Sequence, residues 1–373
     1  MCCSSAGDVS LFDQQSDSDA WPVGSFYETI RDSRNTSACR MRESFEQMFQ
    51  AWPDGDAKIG IRSRFRSARE PDHYGAVLEL LTFESLRRSG FKCSVEGQHK
   101  DDSTVDFIVP ATEKNSGTAI EAKAICRNPA EISDDRILHR FIEEAWNRID
   151  SPLFSLEIDG FLRATSDTPP LRSFSSFIQK RFEDCPEDSF EWVHESTGWK
   201  ITGTFHRVED EGWTPSRGIF SISSGCYLDN SVERAKNRVN DAINQHTTID
   251  PSNLVVSLGS SSVRHALDED CFIMSLVGPP SYCFEKKTTR FVHSGIWRDR
   301  GAIRKNSPGA IIYFGGLWRD LGRIMPTLWV RPDLWPDGLL SGWIFNRASW
   351  DIDTGECIEQ TGDDSLTSID PVH

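Results

Sequence analysis

Apolar and polar positions along this chain change period several times, and each change marks an element. From Ala38 to Gln50 the apolar residues recur near helical spacing, and Trp52-Pro53-Asp54-Gly55 closes the pattern. A second helix is predicted from the Glu70-Pro71-Asp72 start to Ser89, with Val77, Leu78, Leu81 and Leu86 as its apolar stripe and Gly90 as its stop. Phe91 to Val95 alternates like a first strand. Two more runs alternate around acids: Ser-Thr-Val-Asp106-Phe-Ile-Val and Ala-Ile-Glu121-Ala-Lys123-Ala-Ile. Each predicts a β-strand with its polar groups on one face. Pro110 to Gly117 between them holds Pro, Asn, Ser and Gly, which suits a hairpin loop.

Further on, 133–149 is a predicted helix opened by Ser133, followed by a strand from Leu153 to Gly160. A helix near Leu171 to Asp184 and two short strands around Trp192 to Val208 come next. Ser231 to Gln245 predicts a helix, and Asn253 to Gly259 a short, fully apolar strand. An apolar strand after a helix is the pattern of an α/β crossover. Either this pair or the 133–160 pair completes the core begun by the Asp106 and Glu121 strands. The later pair is the better reading, and it makes about 127–215 an insertion.

Glu121 and Lys123 sit two apart on a strand and point the same way, roughly 7 Å from Cβ to Cβ. If the two strands pair, Asp106 lies beside Glu121 at about 5 Å. Two carboxylates at that spacing repel unless a cation lies between them, and oxygen ligands with open water positions favour Mg2+ or Mn2+. A lysine beside that cation can hold and help deprotonate a water. The small residues Ala119, Ala122 and Ala124 point to a crowded central strand, where a charge pair needs a reason.

The acid-bearing helix, the Asp106 strand and Glu121-x-Lys123 together resemble the PD-(D/E)XK superfamily of restriction-endonuclease-like nucleases, over about residues 70–126. The wider layout resembles uncharacterised bacterial proteins with the same core. The resemblance implies an α/β fold, a mixed sheet in an α-β-β-β-α-β core. It implies Asp106, Glu121 and the backbone carbonyl of Ala122 as metal ligands, Lys123 as the group that orients and activates the attacking water, and Glu79 as the helix acid that assists. Glu84 is the rival for that last role. Val105 stands where the family motif often has proline, a residue that shapes the strand and supplies no ligand.

The composition narrows the rest. The net charge of −16 is unusual for a DNA enzyme, but residues 1–20 and 349–373 carry eleven acids and no Lys or Arg, so the chain between them is only mildly acidic. Four arginines fall within eight residues, Arg62, Arg64, Arg66 and Arg69, and either clamp DNA phosphates or cover a solvated face. Lys236 is a further candidate contact. The ten cysteines show no Cys-x-x-Cys, which argues against a zinc site or a disulfide framework and for a reducing cytoplasmic setting. No signal peptide or membrane span is expected. The tryptophans of the C-terminal part are read as core.

The expected organisation is a disordered acidic N-terminus (1–35), a nuclease-like domain (36–259), a Trp- and Gly-rich extension (260–348) and an acidic tail (349–373). The expected function is a Mg2+- or Mn2+-dependent deoxyribonuclease, acting on DNA rather than RNA and with a protein partner or homodimer open. The alternative is a catalytically silent module of the same fold that binds nucleic acid or protein.

Overall fold

A computed structural model describes residues 10–13, 26–32, 36–98, 104–112, 117–126, 141, 148, 154–162, 170–183, 189–196, 198–207, 220–222, 231–260, 269–278, 280–283, 288–291, 295–299, 302–315, 324–336, 339–351 and 356–362. The chain forms two compact units: residues 1–126 with 230–373, and residues 127–229.

The first unit begins with four helices, α1 (Phe26–Asp32), α2 (Thr36–Ala51), α3 (Asp56–Phe65) and α4 (Glu70–Arg88). Pro71 sits in the first turn of α4, where its missing N–H costs nothing, and thirteen residues from His73 to Leu86 are buried along it. Gly90, at φ 77°, caps its end, with the Phe91 N–H donating to the Leu86 carbonyl at 3.0 Å. Phe91 therefore belongs to the helix stop. The first strand, expected from Phe91, runs instead as β1 (Ser94–Gln98).

β2 (Thr104–Val109) and β3 (Thr118–Ile125) follow as expected and pair antiparallel, with Phe107 opposite Ile120 and Val109 opposite Thr118. Alternation holds in β2, where Val105, Phe107 and Val109 are buried. It fails in β3, which is buried on both faces because helices cover both.

The second unit carries β4 (Phe154–Leu162), α5 (Leu171–Glu183), β5 (Ser189–His194), β6 (Trp199–Arg207) and β7 (Phe220–Ile222), in a sheet of order β5-β6-β4-β7. Phe174, Ile178, Phe190, Trp192, Trp199, Ile201 and Phe205 are buried in it. Most of the helix expected at 133–149 lies outside the described residues.

Back in the first unit, α6 (Ser231–Gln245) leads into β8 (Leu254–Ser260), which lies parallel to β3 with Glu121 opposite Val256 and Lys123 opposite Leu258. The later helix–strand pair, not the 133–160 pair, continues this sheet. After α7 (Glu269–Val277) come two small ribbons, β9 (Pro280–Cys283) with β10 (Thr288–Phe291) and β11 (Arg298–Asp299) with β12 (Ala302–Ile303). Then β13 (Ala310–Phe314), β14 (Thr327–Val330), β15 (Asn346–Trp350) and β16 (Cys357–Gln360) complete a mixed sheet of eight strands, β1-β2-β3-β8-β13-β14-β15-β16.

The fold is mixed α/β, and the stretch beyond residue 260 builds half of its central sheet. Trp297, Trp329 and Trp343 are buried there. Cys357–Gln360, within the expected acidic tail, pairs with β15 as the sheet's outer strand. At the other terminus, Leu11 is fully buried and its N–H donates to the Glu46 carboxylate, while Phe12 stacks on Tyr27. An apolar pair in a polar stretch thus fastens a piece of the segment expected to be disordered.

One side of the sheet packs Phe107, Ile120, Val255 and Ile312 against α2, α3 and α4. The other packs Val256, Leu258, Ile311 and Trp329 against Ala235, Val239 and Ala242 of α6. One polar link ties α4 to the sheet: the Thr82 hydroxyl donates to the Leu78 carbonyl at 2.7 Å and lies 2.6 Å from the Ser257 hydroxyl, both groups fully buried. Thr82 sits one turn from Glu79, so this link helps set the height of that acid. Thr82→Val is expected to cost about 1–3 kcal/mol by stranding Ser257, and the Thr82→Val, Ser257→Ala double variant to recover most of it. Urea titration of the three proteins checks this.

Candidate metal and catalytic site

Backbone pairing between β2 and β3 stops at Phe107 and Ile120. One step further the register sets Asp106 against Glu121. There the Ala122 N–H donates to Asp106 Oδ2 at 2.7 Å, a side chain taking the place of the ladder. Two residues on, Lys123 Nζ donates to Glu121 Oε1 at 2.7 Å and to Gln245 Oε1 at 2.5 Å. From α4, Glu79 reaches the same place and accepts both ends of the Arg64 guanidinium, at 2.6 and 2.8 Å.

The structure thus brings Glu79, Asp106, Glu121 and Lys123 together, with Arg64 added. Glu84, the rival acid, faces Arg87 and Arg88 instead, both at 2.8 Å.

The electrostatics follow from crowding. Burial raises the Asp106 carboxyl to about 6, and the Glu121 charge adds to this. The Ala122 N–H, Lys123 and Arg64 work against it. Burial raises the Glu79 carboxyl to about 8, with Asp106 the next cause and Glu121 a smaller one. Arg64 restrains that shift without cancelling it, because the loss of hydration and two neighbouring carboxylates outweigh a single guanidinium.

The chemistry of this donor set fits a hard divalent cation, since carboxylate oxygens that repel one another are what such an ion relieves. Asp106 and Glu121, with the backbone of Ala122 beside them, are the groups that could hold one. Among the described residues, however, no three or more His, Cys, Asp and Glu side chains are arranged as a ready-made metal cage. Lys123 and Arg64 supply the positive charge in this arrangement.

The remaining candidates spread out. Arg66 is engaged by Asp13 and the Leu11 and Ser10 carbonyls. Arg69 lies 3.4 Å from Asp72. Arg62 is half-buried in the last turn of α3, its Nε lacking a hydrogen-bond partner among the described residues. Lys236 is half-buried on α6 and lies nine residues before Gln245, about 14 Å along the helix.

Two residues that sequence reasoning missed stand in the site. Gln245 ends α6 and holds Lys123, and the next residue, His246, is buried with its Nε2 3.1 Å from Glu121 Oε2. No spacing motif signals them, because their approach depends on β8 pairing with a strand more than a hundred residues away.

No helix of the described residues is long and apolar enough to cross a membrane. Comparisons with protein-family models, curated proteins and solved structures found no match to this chain.

Proposed function

We propose that this chain is a Mg2+- or Mn2+-dependent nuclease that hydrolyses DNA phosphodiester bonds in the cytoplasm, on a restriction-endonuclease-like core of α4, β1, β2, β3, α6 and β8. The observation that carries the reading is the convergence of Asp106, Glu121, Lys123 and Glu79 where β2 parts from β3. Carboxyls raised by burial and then by one another are a common mark of a functional site. A divalent cation held by Asp106, Glu121 and the Ala122 carbonyl would supply Lewis-acid activation of the phosphate and of water.

The chain's own groups do the rest. Lys123, its ammonium held by both Glu121 and Gln245, orients the attacking water and assists loss of its proton. The Arg64 side chain stays partly exposed while gripping Glu79, and a guanidinium has more N–H groups than that carboxylate takes, which suits it to a phosphate oxygen. Glu79, raised near neutral pH, can hold a proton at the edge of the site.

The test is incubation of purified protein with supercoiled, linear and single-stranded DNA in Mg2+, Mn2+ or EDTA. Cleavage is expected with metal, none in EDTA, and at least about a hundredfold less from Asp106→Ala. Absence of cleavage under every condition, or equal cleavage by the variant, removes the nuclease reading. One observation favours the second reading, a silent binding module: Lys123 and Arg64 already answer two of the carboxylates without a metal. DNA binding without cleavage would select it.

A further inference from the structure

We propose that His246 is a nitrogen ligand of the cation held at Glu121, making the site a mixed imidazole–carboxylate centre that selects Mn2+ over Mg2+. This rests on the metal-site reading above. The imidazole is 5% exposed, and both its ring nitrogens are buried without a hydrogen-bond partner among the described residues. Such a group calls for an explanation.

Its Nε2 lies 3.1 Å from Glu121 Oε2, within ion-pair reach yet off the direction a hydrogen bond needs. That separation has a simple meaning in coordination geometry. Two donor atoms each about 2.1 Å from a cation and at right angles around it are about 3 Å apart. The pair therefore has the bite of a chelate.

The two oxygens of Glu121 also divide their work. Oε1 takes the Lys123 ammonium, and Oε2 turns to His246. A lysine beside the opposite oxygen leaves the imidazole side as the approach for a cation. α6 delivers this arrangement as a unit, since Gln245 steadies Lys123 and the adjacent His246 faces Glu121. Imidazole nitrogen suits first-row transition metals, whereas Mg2+ prefers oxygen and water, so adding it shifts the preference toward Mn2+.

Mn2+ is the probe, read by its spin echo and by titration calorimetry of the full chain. The bound ion is expected to show modulation from a directly bonded nitrogen, shifted in wild-type protein labelled with 15N-histidine and lost in His246→Asn. The same variant is expected to bind Mn2+ about tenfold more weakly, with Mg2+ affinity changed by no more than about twofold. The labelled wild type answers even if the variant misfolds. Mn2+ bound without histidine nitrogen coupling, or coupling that survives in His246→Asn, overturns the assignment and leaves the nuclease reading standing. No Mn2+ binding by the wild type overturns both.

Discussion

Lys123→Met is expected to lower metal-dependent DNA cleavage by about a thousandfold while leaving Mn2+ affinity the same or tighter. The reasoning is local. Lys123 touches Glu121 and Gln245, and its side chain is mostly shielded, so a methionine of similar length keeps the packing. What disappears is the ammonium that balances Glu121 and, in the proposed mechanism, holds the water. If Glu121 holds the cation as proposed, removing the ammonium beside it does not weaken that carboxylate for Mn2+. Single-turnover cleavage, calorimetry and a thermal melt on the same preparation separate the effects. Cleavage within tenfold of wild type would remove Lys123 from the chemistry. A parallel collapse of metal binding and folding would make it a structural residue.

The second large effect is on stability against pH. Glu79 and Asp106 have folded-state values raised to about 8 and about 6. A carboxyl with a raised value binds more protons folded than unfolded, so its contribution is present at low pH and lost as pH rises through the folded value. Burial pulls His73 the other way, down to about 4, so stability from that group grows between about pH 4 and 6.5. Below pH 6.5 the two trends oppose each other. Above it Glu79 dominates, and the metal-free protein is expected to lose about 2 kcal/mol between pH 6.5 and 8. Glu79→Gln is expected to flatten that fall. Saturating Mg2+ at pH 8, by binding the deprotonated cluster, is expected to return about 2–3 kcal/mol. Urea titrations in EDTA and in Mg2+ at four pH values measure all of this. Stability that is level or rising from pH 6.5 to 8 in EDTA would contradict the crowded-carboxylate picture.

The parts of the molecule legible in sequence are those governed by local periodicity. α4, β2, β3, α6 and β8 follow from apolar spacing that needs no partner to be read. The gathering of Asp106, Glu121 and Lys123 follows from pairing of two strands that are neighbours in sequence, whose alternation sets the three side chains at adjacent positions. What escaped depends on contacts between distant segments. His246 and Gln245 meet Glu121 and Lys123 only because β8 lies parallel to β3. The four strands β13 to β16 are separated by stretches whose length says nothing about sheet order, so their succession outward from β8 is not readable. Phe91 alternates like a strand residue, yet a single backbone bond to Leu86 assigns it to the end of α4. Arg64 was recognised as a basic residue for phosphate, but its bidentate hold on Glu79 is a tertiary contact between two helices.

The most direct measurement is anomalous diffraction at the manganese edge from crystals grown with Mn2+. A peak within coordination distance of both the Asp106 and Glu121 carboxylates is the expected result. A peak elsewhere, or none at these residues while Lys123 remains on Glu121 and Arg64 on Glu79, would contradict a metal-dependent site at this place.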